Sequence, residues 1–466
     1  FDKEAGNNED RYYHLVLLAE NNEGYQNLMK IVSKGFVDGF YYKPRIDEEV
    51  MREYHEGIIA LSACLAGEVP RYLEKGLYED AKAAAKRHLE IFGEGNYFLE
   101  LQDHGIEEQK KVNKALVEMS QKLGIGLVAT NDVHYMTKGD AEAQGIMMCI
   151  QTLKTVEDED RMRFETDEFY LKSPEQMENI FKDFPEAIEN TYKIAHRCNV
   201  EFDFKNKHLP EFHLPEGWSD AYSYLEYRCR EGAKKRYGEN FSENIKKRMD
   251  YELDIIIGMG YVDYYLIVWD FVRYSKDNNI PVGPGRGSGA GSICAYCIEI
   301  TDIDPIKYNL LFERFLNPER VSMPDFDIDF CIEGRQKVID YVVEKYGSDR
   351  VSQIIAFDTL KARAAIKDTG RTMGLSVKFR NDVSSLVPRD LNITIAQALE
   401  KSKELKELYD SNYSAHKLID MSMKIEGMPR NDSIHAAGVV ISGVPVTDLV
   451  PVKKSGDAVV TQYTMT

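Results

Sequence analysis

Three aspartates, Asp325, Asp327 and Asp329, alternate with Phe326, Ile328 and Phe330 at the end of the run Val321-Ser-Met-Pro-Asp-Phe-Asp-Ile-Asp-Phe330. A period of two predicts a β-strand with one acidic and one apolar face. Asp is depleted in strands, and like charges on one face repel. A chain that keeps three together needs a cation to offset them. Upstream lies Gly283-Pro-Gly-Arg-Gly-Ser-Gly-Ala-Gly-Ser292, whose exposed amides suit a polyphosphate, with Arg286 as a cation inside it. A carboxylate pair for divalent metal beside a phosphate cradle points to nucleotidyl transfer. A solvated acidic face or a structural Ca²⁺ site are the blander readings of the aspartates. The loop is no P-loop, since no Gly-Lys-Ser/Thr follows, and it misses the G-x-G-x-x-G spacing. The next segment, Ile293-Cys-Ala-Tyr-Cys-Ile-Glu-Ile300, predicts a helix whose N-terminus adds free amides and dipole to the loop.

The elements that would position these residues read as follows. Tyr13–Ala19, Gly57–Ser62, Tyr97–Leu101 and Leu127–Asn131 are apolar runs that predict buried strands. Helical patterns at 23–35, 78–92 and 106–123 lie between them, so βα repetition predicts a barrel or layered α/β domain. Residues 155–168 form a polar loop, helices resume over 174–197, and 205–218 reads as a linker. Residues 219–279 are strongly helical. Helical patterns dominate from 335 to 430, and His435-Ala-Ala-Gly-Val-Val-Ile-Ser442 predicts a return strand. Within that helical region Lys361 or Arg363, Lys367 and Arg371 can share one helix face, either as a solvated stripe or as a contact to phosphates.

At 466 residues and 43% hydrophobic, the chain has material for two or three domains. The net charge of −19 argues against nucleic acid until it is divided. Residues 1–200 hold 24 Lys and Arg against 38 Asp and Glu, leaving −5 for the other 266 residues. No apolar run reaches the roughly 18 residues of a membrane span. Seven scattered cysteines fit a reducing cytoplasm. Cys294 and Cys297 lack a second pair for zinc and read as core neighbours. A start at Phe1 and an abrupt Thr466 suggest a piece of a longer protein.

In the N-terminal part, metal-ligand residue types fall at strand ends, where α/β barrels build sites. Cys64 ends one predicted strand, Asp132 and His134 end another, and His14 starts a third. Cys, His and Asp together suit zinc or another transition metal, although each alone is more often a hydrogen-bonded structural residue. His104 ranks below these four.

Three runs, Pro281–Ser292, Leu311–Phe330 and His435–Ile441, resemble the catalytic α subunit of bacterial replicative DNA polymerase III, the C family of polymerases. The likeness covers essentially the whole chain. It implies an α/β and α+β multidomain protein: a PHP-type (βα) barrel-like domain over 1–200, a polymerase-β-like nucleotidyltransferase palm over 201–356 and 435–466, and a helical thumb over 357–434. By position, Asp325 and Asp327 match the first two catalytic metal ligands, for two Mg²⁺ ions. Gly287 and Ser288 match the loop that holds the triphosphate, and Arg286 and Arg314 match phosphate-side cations. The basic residues Lys361, Arg363, Lys367 and Arg371 are candidates for DNA contact. His14, Cys64, Asp132 and His134 match part of the PHP metal cluster, for Zn²⁺ or Mn²⁺.

The resemblance further implies dNTPs and primer-template DNA as substrates, and a 3′–5′ exonuclease in an intact PHP domain. Partners would be the sliding clamp and other replicase subunits, reached through regions outside this chain, with no membrane. The family's third palm aspartate lies beyond Thr466, and its early His-x-His and Asp-His-Gly motifs belong before Phe1. The piece alone is therefore expected to be inactive as a polymerase. One rival reading is a PHP-type metal phosphoesterase with a DNA-binding C-terminal half, which leaves Asp325 and Asp327 idle. A non-catalytic DNA-binding scaffold is the other.

Overall fold

A computed structural model describes residues 12–204, 208–319 and 324–465. The chain divides into two compact units. One comprises Phe1–Phe202, Ile354–Ala436 and Thr447–Thr466, the other Asp203–Gln353 and Ala437–Val446.

The first unit opens with the expected βα alternation. Strands β1 (Val16–Ala19), β2 (Ile58–Leu61), β3 (Tyr97–Leu101) and β4 (Gly126–Ala129) form a sheet in that order. β1 runs antiparallel to β2, with Val16 opposite Leu61, while β2, β3 and β4 are parallel. Parallel strands covered on both faces are continuously apolar, and all residues of β2 and β3 are buried. The helices Tyr78–Phe92 and Glu107–Leu123 carry the connections, with Ala81, Ala84, Ala85, Val112 and Leu116 in the same core. β1 is shorter than expected, because His14 makes only an isolated bridge with Gly67.

A second sheet has the order β6-β5-β8-β7, formed by β5 (Val351–Thr359), β6 (Pro429–Ile441), β7 (Val452–Ser455) and β8 (Ala458–Thr461). β5 corrects the helical reading of 335–430. Five helices between Ala362 and Ile425 separate β5 from β6. Thr394 and Gln397 close a capping box on one of them, and Ser376, Ser402 and Asn412 cap three others. Their apolar faces meet around Leu360, Ile366, Leu405, Leu418 and Ile419, joined by Ile146 of the helix Ala141–Thr152.

The second unit is built on the helices Ala221–Tyr237, Glu243–Gly258, Val262–Asp277 and Arg335–Tyr346. Trp269 is buried between Arg228 and Arg273, whose guanidinium carbons sit 4.6 and 4.8 Å from its ring centre. Beside it, Asp270 is 1% exposed and accepts hydrogen bonds from Lys345 Nζ at 2.6 Å and Tyr341 Oη at 2.8 Å. This charge ties the helix Val262–Asp277 to the helix Arg335–Tyr346. Cys229, Cys294 and Cys297 are buried free thiols in the same core, the last two as their spacing implies. Among the described residues no single helix is long and apolar enough to cross a membrane.

Candidate active site

The acidic segment is not the strand its alternation predicts. Residues 324–329 lie outside any ladder, and Phe330 makes one isolated antiparallel bridge with Val282. Val321–Met323 lie outside the described residues. The physical reason is a side chain: the Phe326 N–H donates to Tyr264 Oη at 2.8 Å, where a strand would have used a neighbouring backbone. The two-faced pattern nevertheless survives. Phe326 and Ile328 pack on the core, and the Phe326 ring lies 4.5 Å from that of Phe315 and 5.3 Å from that of Tyr265. Asp325 and Asp329 are exposed and Asp327 is half-buried. Tyr264 is pushed up to about 12, chiefly by burial, with the charges of Asp325 and Asp327 adding to the rise.

The glycine-rich loop lies directly against this segment. Its start is pinned by Gly283 N donating to Asp329 O at 2.8 Å and Cys331 N donating to Pro281 O at 3.0 Å. Gly287 has a φ of +67°, and a Cβ there would stand 3.1 Å from Asp327 Oδ2. At Gly291 the constraint is space, since a Cβ would meet the Leu311 carbonyl oxygen at 2.6 Å. That approach seats the loop on the turn Phe312–Arg314, which ends in the exposed Arg314. Ser288 begins a short 3₁₀ turn, and the helix that follows covers only Ile293–Cys297, less than the sequence suggests.

The counter-charge expected for the aspartates is present within the loop. Arg286 reaches Asp327 Oδ2 with Nη1 at 2.9 Å and donates from Nε to both Asp329 oxygens at 3.1 and 3.2 Å. One guanidinium thus spans two of the three carboxylates. Hard carboxylate oxygens at the rim of an amide-rich loop suit a divalent cation such as Mg²⁺ or Ca²⁺.

In the first unit the candidate ligands gather as two pairs. Cys64 Sγ lies 3.5 Å from His14 Nδ1, and His134 Nε2 lies 3.4 Å from Asp132 Oδ1. Burial pushes the Cys64 thiol up, and the charges of Asp132 and Glu100 push it further. Among the described residues no three His, Cys, Asp or Glu side chains converge as a metal cluster. His104 is a structural residue. It is fully buried and stacked on Phe169 at 3.9 Å, with Nε2 2.7 Å from the Asn131 carbonyl and Nδ1 2.8 Å from Gln109 Nε2.

The basic residues do not form one free stripe. Lys361 precedes the helix Ala362–Thr372 and donates to Asn392 Oδ1 at 2.6 Å. Arg363 donates to the Val387 carbonyl at 2.5 Å, and Arg371 to those of Lys154 and Ile150 at 3.4 and 3.5 Å. Lys367 is exposed.

Residues 223–466 match the model of the bacterial DNA polymerase III alpha NTPase domain, and residues 3–104 match that of the PHP domain. The chain belongs to the bacterial DNA polymerase III alpha family. It is 48% identical over 97% of its length to the DNA polymerase III subunit alpha of Treponema pallidum, covering 38% of that protein. It is likewise 48% identical to that of Borreliella burgdorferi over 97% of its length, covering 40%. Against Thermus aquaticus the identity is 39% over the whole chain, covering 43%. The chain thus spans about two fifths of the polymerase III alpha relatives it matches. Tyr264 is the residue of this site that sequence reasoning missed, since it lies in a stretch read only as helical.

Proposed function

We propose that the full-length protein is the catalytic subunit of a bacterial replicase, joining dNTPs to a primer 3′-hydroxyl on a DNA template. The observation that carries this reading is the contact between the glycine-rich loop and the acidic segment, with Arg286 2.9 Å from Asp327. In it, residues 201–356 and 435–466 form a polymerase-β-like palm, 357–434 a helical thumb and 1–200 a PHP domain of barrel-like type. Asp325 and Asp327 hold two Mg²⁺ ions, which when bound would activate the hydroxyl and offset charge on the leaving pyrophosphate. Gly287 and Ser288 present amides and a hydroxyl to the triphosphate, and Arg286 and Arg314 supply positive charge to its oxygens. Base choice comes from template pairing. Lys361, Arg363, Lys367 and Arg371 lie along the DNA backbone. Carbonyl partners orient the two arginines without neutralising them, which leaves their charge available to phosphates.

Primer extension by the full-length protein with dNTPs and Mg²⁺ tests the reading, and an inert protein overturns it. Within that assay, Arg286→Ala and Ser288→Ala are expected to raise the KM for nucleotide about tenfold while primer-template affinity changes little. Loss of DNA affinity at constant nucleotide KM would make the loop a clamp on the DNA backbone instead.

The N-terminal candidates suit a metal site of softer character by residue type, for Zn²⁺ or Mn²⁺, since thiolate and imidazole favour those ions over Mg²⁺, although the described residues hold them as two pairs and not as one cluster. In the full-length protein such a site would serve a 3′–5′ exonuclease or hold the domain together. Metal analysis of the full-length protein is expected to find the ion lost in Cys64→Ser and His134→Ala. Undiminished metal in both variants would dismiss the site. The sliding clamp and other replicase subunits are proposed as partners of the full-length protein.

A further inference from the structure

Behind the glycine-rich loop lies a buried charge. Glu252, in the helix Glu243–Gly258, is wholly inaccessible to solvent. Its Oε2 accepts from Ser292 Oγ at 2.8 Å and from Cys294 N at 3.2 Å, and its Oε1 from Arg248 Nε at 2.8 Å. Arg248 also donates from Nη2 to the Gly291 carbonyl at 3.2 Å and to that of Leu310 at 3.3 Å. Tyr265 Oη, buried as well, donates to Ser292 Oγ at 3.1 Å. Every atom held here belongs to the end of the loop, the start of the helix after it, or the segment leading to Arg314. A buried carboxylate is costly to desolvate and contributes little net stability even when paired. Its use here is geometric.

We propose that Glu252, acting with Arg248, is a positioning residue that fixes the glycine-rich loop and the Arg314 turn in register for the incoming triphosphate. The proposal rests on the reading that Gly287 and Ser288 hold the triphosphate. Three donors converge on the carboxylate, and only an acceptor with both oxygens free can serve them all. An amide at this position turns one N–H against a donor, so at least one of the three bonds is lost. The loop then samples orientations that the nucleotide must reorder on binding, which raises KM more than it lowers the rate of the bound complex.

Steady-state incorporation by the full-length protein tests this. Glu252→Gln is expected to raise the nucleotide KM about tenfold, with kcat changed less than about threefold and primer-template affinity unchanged. Arg248→Lys, which keeps the charge and loses the forked reach to Gly291 and Leu310, should give a smaller rise of the same kind. If Glu252→Gln does not fold, Ser292→Ala carries the test, because it removes the hydroxyl linking Glu252 to the helix start. A nucleotide KM unchanged in the variant that folds overturns the proposal, as does a loss confined to kcat. Ser288→Ala measured in parallel separates the two readings. A raised KM in Ser288→Ala alone leaves the loop reading standing and removes Glu252 from it. If Ser288→Ala leaves the nucleotide KM unchanged and weakens DNA binding, the loop reading fails and the proposal with it.

Discussion

Asp325→Asn and Asp327→Asn in the full-length protein are each expected to cut nucleotide incorporation by more than about a hundredfold, beyond the usual cost of losing a partner outside the metal's own ligands. Asn keeps the shape of the side chain and loses the anionic oxygen that binds a divalent ion. The fold should be unaffected. The one ion pair broken, Arg286–Asp327, has side chains 55% and 41% exposed, and such pairs contribute about 1 kcal/mol or less. A large kinetic loss with an unchanged circular dichroism spectrum therefore reports ligation and not folding. Asp329→Asn is expected to be milder, since Arg286 Nε engages both of its carboxylate oxygens at 3.1 and 3.2 Å, whereas Asp327 meets Arg286 through Oδ2. Single-turnover incorporation at saturating Mg²⁺ is the measurement. A rate within tenfold of the parent in either of the first two variants would sink the assignment, and equal losses at all three would show Asp329 to be a ligand as well.

The largest stability effect is expected at Asp270. Asp270→Ala removes a carboxylate that is 1% exposed and leaves Lys345, 26% exposed, facing Tyr341 and Tyr346 without its anion. Breaking a buried pair on one side costs about 3–5 kcal/mol, and the partial exposure of Lys345 sets the lower end, about 3 kcal/mol. Asp270→Asn, which keeps an acceptor, should cost less. A chain of two units need not unfold in one step, so hydrogen exchange on the helix Val262–Asp277 is the suitable observable. Protection there reduced by less than tenfold would mean the charge is dispensable. Tyr341, held up by burial and then by its bond to Asp270, should titrate lower in the same variant.

What the sequence made legible follows from where backbone partners come from. The four strands of the first sheet could be read because βα repetition supplies both the apolar run and the crossover that pairs it. The acidic segment misled because alternation records which faces are wet, not whether a neighbouring strand exists. Tyr264 supplied the partner instead. β5 was missed although Val351, Ile354, Ile355, Phe357 and Thr359 are strand-favouring residues following the break at Gly347, because helical patterns on both sides dominated the window. Arg286 was legible as a cation in the loop, but not as the ion bridging Asp327 and Asp329. That pairing joins positions far apart in the chain. Glu252 left a faint signal, a carboxylate among Met249, Leu253 and Ile256 on the buried face of its helix. Its partners at Ser292 and Cys294 could not be inferred from local pattern. For Lys361, Arg363 and Arg371, helix periodicity gave the spacing, but the carbonyl and amide groups that hold them come from distant segments.

The discontinuity of the second unit sets the order in which it can be completed. Its last piece, Ala437–Val446, is separated from Gln353 by the intervening residues 354–436. That piece is stitched in by Ser442 N donating to Arg350 O at 2.9 Å and Gly443 N to His208 O at 3.0 Å, and no sequence-local contact can substitute for these. A ribosome adding about 5–20 residues per second needs several seconds to make the intervening stretch. During that interval Ile328, Phe330, Val338 and Val342, which share a cavity of about 450 Å³ with Val439 and Ile441, lack those two neighbours. Closing so long a loop adds only a slowly growing entropic cost. The delay is therefore one of synthesis, and nascent chains spend it with part of an apolar wall uncovered beside Arg286 and Asp327.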